Sequence, residues 1–144
     1  MTEEIKFSGA EANLVIHATE DQEKVLGSLD DNLNLSPDKF SVTPSEGHYK
    51  NRILMLKAIF SSSEATELAA NIASKLNSLD RQELWQNMSQ FSDEKGNLYL
   101  RLDKQRLCQG KVSIALADSI RIKFKPVKRY RPTSYLENYR GLFA

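Results

Sequence analysis

Between Ser119 and Leu136 this chain carries no acidic residue, and within that stretch Arg121, Lys123 and Lys125 alternate with Ile120, Ile122 and Phe124. Successive side chains of a strand point to opposite faces. The spacing therefore predicts a strand with one face in a core and a ladder of cations on the other. Lys128, Arg129 and Arg131 carry the charge past Pro126. Aligned cations of this kind match an anionic polymer, and nucleic-acid phosphate is the commonest large one. The same lysines also suit a strand edge guarded against aggregation.

Other residues add to that chemistry. In the string Arg101-Leu102-Asp103-Lys104-Gln105, Arg101 and Lys104 are candidates for phosphate and Gln105 for a base edge. Asp103 can pair with Lys104 or Arg106, or cap the turn that follows. Tyr99, two residues before Arg101, is a candidate stacking ring. His17-Ala18-Thr19-Glu20-Asp21 reads as a strand-to-helix junction, and Glu46-Gly47-His48-Tyr49-Lys50-Asn51 as a polar loop between strands. His17 and His48 are candidate base or ribose contacts, Tyr49 a second stacking ring, and Lys50 a further cation. A catalytic reading would use His17 with His48 and Asp103 as a ribonuclease or RNA-modifying site, which requires them to meet within hydrogen-bond reach. The two histidines have no nearby third ligand to make a metal site. The sequence holds no Gly-rich phosphate loop, no Gly-x-Ser-x-Gly and no His-Glu-x-x-His. No enzyme, cofactor or metal is expected.

These residues need elements to position them. Residues 14–18 read as a strand. Thr19 and Gln22 then form a capping-box pattern, opening a helix whose stripe is Val25, Leu26, Leu29 and Leu33. Residues 39–46 and 52–60 read as strands, and 64–77 as a helix. A third helix is expected from Asp80, with Asp80 as N-cap, Glu83 at N3 and a Leu79–Leu84 staple, its apolar side finished by Trp85, Met88 and Phe91. Leu98–Asp103 and Val112–Leu116 read as strands before the basic one, and 135–143 as a short terminal helix. This order predicts an α+β fold, a mainly antiparallel sheet with helices packed on one face as a two-layer sandwich. By parity, the uncovered face would carry Tyr99, Arg101, Arg121, Lys123, Lys125, Val15 and His17. Aromatic rings among cations suit single-stranded or looped RNA.

The totals agree with one domain spanning the 144 residues, with a basic C-terminal extension at about 127–144. Net charge is only +1, but residues 1–48 hold ten acidic and three basic side chains, and the remainder nine acidic and seventeen basic. Such a dipolar chain orients towards a polyanion. The single cysteine, Cys108, excludes an internal disulfide. No signal peptide and no membrane-spanning run is apparent, so a cytoplasmic protein is expected.

Three strings, His17-Ala18-Thr19-Glu20-Asp21 with Glu23-Lys24-Val25, Glu46-Gly47-His48-Tyr49 with Asn51, and Gly96 to Gln105, resemble an archaeal predicted RNA-binding family described as exosome-associated. The resemblance spans about residues 10–126. It implies a fold similar to the ribosomal protein that binds 5S rRNA, and RNA as the partner. The family pattern often has Gly where this chain has Lys50 and Pro where it has Arg52, so this version adds two positive charges to the loop. The basic tail from Lys128 to Arg140 lies outside the resemblance. The leading expectation is thus an RNA-binding accessory factor of RNA processing or decay, with exosome subunits as protein partners, while the dipolar charge layout adds a second copy of the chain as an optional partner. The alternative is a protein-interaction subunit without RNA affinity, docking through the acidic first helix.

Overall fold

The computed structural model describes residues 7–46, 52–115, 117–127 and 135–144. Strands β1 (Phe7–Ile16), β2 (Phe40–Glu46), β3 (Arg52–Phe60), β4 (Leu98–Asp103) and β5 (Ser119–Pro126) form one sheet in the order β2-β3-β1-β5-β4. Every neighbouring pair is antiparallel. Helices α1 (Gln22–Leu33), α2 (Ser62–Lys75), α3 (Ser78–Gln86), α4 (Lys104–Cys108) and α5 (Tyr135–Leu142) supply the second layer. This is the expected α+β arrangement.

Period-two patterning decides which face the helices cover. Leu98, Leu100 and Leu102 of β4, Ile120, Ile122 and Phe124 of β5, and Leu14 and Ile16 of β1 are all at most 2% exposed. Each such burial contributes roughly 1.5–3 kcal/mol. The central strand is unusual in carrying Ala10 and Ala12 on its buried side. Those alanines face α2, whose Ala65, Ala69 and Ala73 are buried in turn. Small residues on both sides let helix and sheet approach closely. Phe7 closes one end of the core, with its ring 5.0 Å from Phe124 and 5.8 Å from Tyr139 of α5.

Several boundaries differ from the sequence expectation. β1 starts seven residues before residue 14, at Phe7, and ends at Ile16. Its Ser-Gly-Ala stretch has little strand propensity, but pairing on both edges overrides that. A Cβ at Gly9 would meet the Phe60 carbonyl oxygen at 3.0 Å, so the backbones approach there as only glycine allows. The cap of α1 is Asp21, not Thr19, with its carboxylate accepting from the Glu23 and Lys24 N–H groups. The cap of α3 is Asn77, not Asp80. Leu79 is 76% exposed and makes no staple, and Trp85 is likewise exposed. Residues 112–115 do not form a named strand. They run along the free edge of β4, where Asp103 N–H donates to Ser113 O (2.8 Å) and Ala115 N–H to Arg101 O (2.9 Å), with an isolated bridge between Leu102 and Ile114. Leu116 lies outside the described residues. Among the strands, β2 through β5 fall where the alternation puts them, and the terminal helix appears as α5.

Candidate nucleic-acid interface

On the face away from the helices, strand register lines side chains into rows. Arg101 stands opposite Arg121, Arg121 opposite Asn13, Asn13 opposite Lys57, and Lys57 opposite Ser41. One row thus crosses all five strands. With neighbouring strands about 4.8 Å apart, Arg101 and Lys57 stand roughly 14 Å from each other. The next row runs Tyr99, Lys123, Glu11, Ile59. On the other side of the cationic row lie Val15, Met55 and Thr43.

The cations differ in how they are balanced. Lys125 Nζ pairs with Glu11 Oε1 at 3.0 Å. That hydrogen bond holds the Glu11 carboxyl below the usual carboxylate range, against the raising effect of burial and with help from Lys57 and Lys123. Lys123 Nζ lies 5.9 Å from the centroid of the Tyr99 ring, a cation–π distance. Arg101 and Arg121 are both exposed, and among the described residues neither has a carboxylate within ion-pair distance. Like charges directly opposite in a sheet are destabilising, by a few tenths of a kcal/mol to about 1. The pair therefore costs stability that an anion on this face would return.

Beside the row is a shallow basin of about 610 Å³, lined by Tyr99, Arg101, Arg121, Lys123, Asn13 and Phe91, with two carboxylates, Glu11 and Glu83, also on its wall. Its ring is fixed from behind. The Tyr99 hydroxyl donates to Asp93 Oδ2 at 2.8 Å, and this bond raises the phenol above its ordinary range. Burial pushes the Asp93 carboxyl up, but the Asn97 side chain, the Asn97 N–H, the Tyr99 hydroxyl and the Lys95 N–H together hold it below its ordinary range.

Lys104 departs from the surface role expected of it. Strand parity ends at Asp103, whose carboxylate accepts from Arg106 N–H at 3.0 Å and caps α4. The turn into that helix carries Lys104 beneath the end of β1, where its side chain is 1% exposed. Its ammonium donates to Val15 O (2.7 Å), Glu20 Oε1 (2.8 Å) and Asp118 Oδ1 (2.9 Å). Gln105 Nε2 donates to Glu20 Oε2 at 3.1 Å, and His17 N–H to Glu20 Oε1 at 2.9 Å. The His-Ala-Thr-Glu-Asp and Arg-Leu-Asp-Lys-Gln strings thus meet in one polar knot. Glu20, the residue after the expected Thr19 cap, serves as a counter-ion to Lys104. His17, Glu20 and Asp118 bring ligand atoms within 4.8 Å of one another, but the Lys104 ammonium already bonds both carboxylates. A metal ion would have to displace it.

His17 lies just past the end of β1, exposed, with Nε2 3.5 Å from Asp118 Oδ1. It forms no ion pair with Asp103, which is committed to its helix cap. His48, Tyr49 and Lys50, with Lys128, Arg129 and Arg131, lie outside the described residues. Tyr99, Arg101, Arg121, Lys123 and Lys125 share one face. Lys57 and Asn13 were missed, although Lys57 alternates with Leu56 and Ala58 and its parity was readable. Phe91, expected on the apolar side of the third helix, instead follows the end of α3 and joins the edge of β4 across the 93–97 turn, with Tyr99 N–H donating to Phe91 O at 2.7 Å.

A family model described as RNA binding matches residues 10–126. RNA-binding protein PAB1135 of Pyrococcus abyssi is 35% identical over 124 residues, covering 79% of this chain and 80% of that protein. Among solved structures, protein AF2318 of Archaeoglobus fulgidus superposes with a TM-score of 0.78 at 26% identity, covering 95% of this chain and 99% of that one. Mth689 of Methanothermobacter thermautotrophicus, described as a DUF54 protein, gives 0.74 at 25% identity over 96% and 99%. The matched span holds the five strands from Ala10 onward, the cationic row and the Lys104 knot, and the chain belongs to this RNA-binding family.

Proposed function

We propose that this protein binds RNA through the open face of its sheet, without catalysing a reaction on it. Arg101, Arg121, Lys123 and Lys57 neutralise phosphates, with Lys125 as a cation shared with Glu11. Tyr99 offers a ring, and His17 a contact at the rim. Lys50, His48 and Tyr49, which lie outside the described residues, are further candidate RNA contacts. The observation that carries this reading is the Arg101–Arg121 cross-strand pair, exposed and without a carboxylate partner among the described residues. Its charge pattern is unfavourable in the free protein and favourable against a polyanion. The family supports RNA as that polyanion.

Within the same reading the protein is a cytoplasmic accessory factor of RNA processing or decay, working beside archaeal exosome subunits and able to pair with a second copy. The motif resemblance supports the RNA-processing and exosome link, the dipolar charge layout supports self-association, and the lack of a signal-peptide pattern supports the cytoplasm. Co-purification and sizing at two salt concentrations test it.

Fluorescence anisotropy with labelled RNA and its DNA equivalent tests the binding claim. Binding that favours RNA and weakens steeply with salt is expected, and Lys123→Glu with Lys125→Glu should weaken it without altering the circular-dichroism spectrum. No binding at low salt would sink the claim and favour a protein-docking role for the acidic α1, where Asp30 and Asp31 are exposed.

A further inference from the structure

The cations of the open face do not stand alone. Large side chains are exposed among them: Tyr99 at 40%, Met55 at 49% and Ile59 at 64%. Tyr99 is directly opposite Lys123, and Met55 and Ile59 flank Lys57 along β3. Phosphate neutralisation explains the charges and leaves these groups unexplained. By register Ile59 and Met55 lie on β3, three strands or about 14 Å from Tyr99, so Tyr99 is the exposed ring that stands beside the arginines and lines the basin.

A duplex has little use for such a ring. In A-form RNA the bases are stacked on one another, and a protein meets phosphates, 2′-hydroxyls and groove edges. An unpaired strand offers both kinds of group at once: phosphates for the arginines, and base faces for rings and aliphatic surfaces. The basin also has the dimensions of a small-ligand site. Its volume of about 610 Å³ falls in the range of roughly 300–1,000 Å³ typical of such pockets. The Tyr99 hydroxyl is already spent on Asp93, so the ring is oriented before any ligand arrives and its polar tip is not free to read a base. What it presents is a ring with the Lys123 ammonium over it, 5.9 Å from the centroid.

We infer that the RNA taken by this face is single-stranded, with an unpaired base stacked on Tyr99 in the basin and the neighbouring phosphates on the Arg101–Arg121–Lys57 row. This rests on the RNA-binding reading above and specifies its substrate class. Stacking on a ring is indifferent to base identity, so little sequence preference is expected at that position.

The test is anisotropy on the full chain, using one short oligopurine RNA alone and annealed to its complement at matched salt. The single strand should bind at least tenfold more tightly. Tyr99→Ala should weaken the single strand roughly 5- to 100-fold, as loss of one base stack does, and leave any duplex binding unchanged. Tyr99→Phe, which keeps the ring, should retain most of the affinity. A 2-aminopurine in the RNA gives a readout that needs no variant, since stacking in the basin should change its fluorescence on binding. Equal or tighter binding of the duplex, or an unchanged 2-aminopurine signal at saturation, would overturn the inference while leaving RNA binding in place. Failure of both RNAs to bind would overturn the RNA reading itself.

Discussion

Arg101 and Lys104 are three residues apart, both cationic, and meet opposite fates. Arg101 stands on the open sheet face without a carboxylate partner among the described residues. Lys104 is 1% exposed and has three oxygen acceptors within 2.9 Å. The difference arises at Asp103, where strand parity stops and a helix begins. Charge that is answered from within, by Glu20 and Asp118, organises the fold. Charge left unanswered is available to a partner. Lys125, paired with Glu11 on the surface, stands between the two.

The largest effect expected from this contrast is on stability. Lys104→Ala removes the one cation shared by Glu20, Asp118 and the Val15 carbonyl, leaving Glu20 with the His17 N–H and Gln105 as donors. Breaking a buried pair in this way costs about 3–5 kcal/mol, but Asp118 is 46% exposed and regains water. A loss of about 2–4 kcal/mol in urea denaturation is therefore expected. Arg101→Ala with Arg121→Ala should do the reverse. Removing the like-charge pair leaves stability unchanged or slightly higher, while RNA affinity falls more than tenfold at low salt. The slope of log K against log salt should become shallower by about 1.4, from two phosphate contacts at roughly 0.7 each on a single strand. If this double variant unfolds and Lys104→Ala does not, the two cations have been assigned the wrong way round.

The smallest effect concerns Glu11. Glu11→Gln frees Lys125 and removes a negative charge from the face, so RNA affinity should rise severalfold in the same titration. Acidification should act in the same direction. The carboxyl is held below the usual range in the folded protein, so its contribution to stability is full above the ordinary carboxylate value and is lost as pH falls through the lowered one. Tighter RNA binding should appear over that same low-pH window, and be absent in Glu11→Gln.

Much of this architecture was readable in the chain because a strand in a two-layer fold must alternate. Arg121, Lys123, Lys125, Tyr99 and Arg101 fell on one face for that reason alone. The α1 and α3 caps were misplaced by two and three residues, since Thr19, Asp21, Asn77 and Asp80 are all competent N-caps and tertiary contacts choose among them. Residues 112–115 have the alternation of a strand but mainly cover the edge of β4. Lys104 was misread because its partners, Glu20 and Asp118, are distant in sequence, and nothing local marks a lysine for burial. The basin needed Phe91, which reaches it only through the folded edge of β4.

The central claim is that RNA lands on the unanswered cations of the sheet and not on the polar knot or the acidic helix. Backbone amide NMR of the labelled protein, titrated with single-stranded RNA, tests it most directly. Progressive shifts concentrated at Asn13, Tyr99, Arg101, Arg121 and Lys123 are predicted. Shifts concentrated at Asp30 and Asp31, or none at saturating RNA, would contradict it.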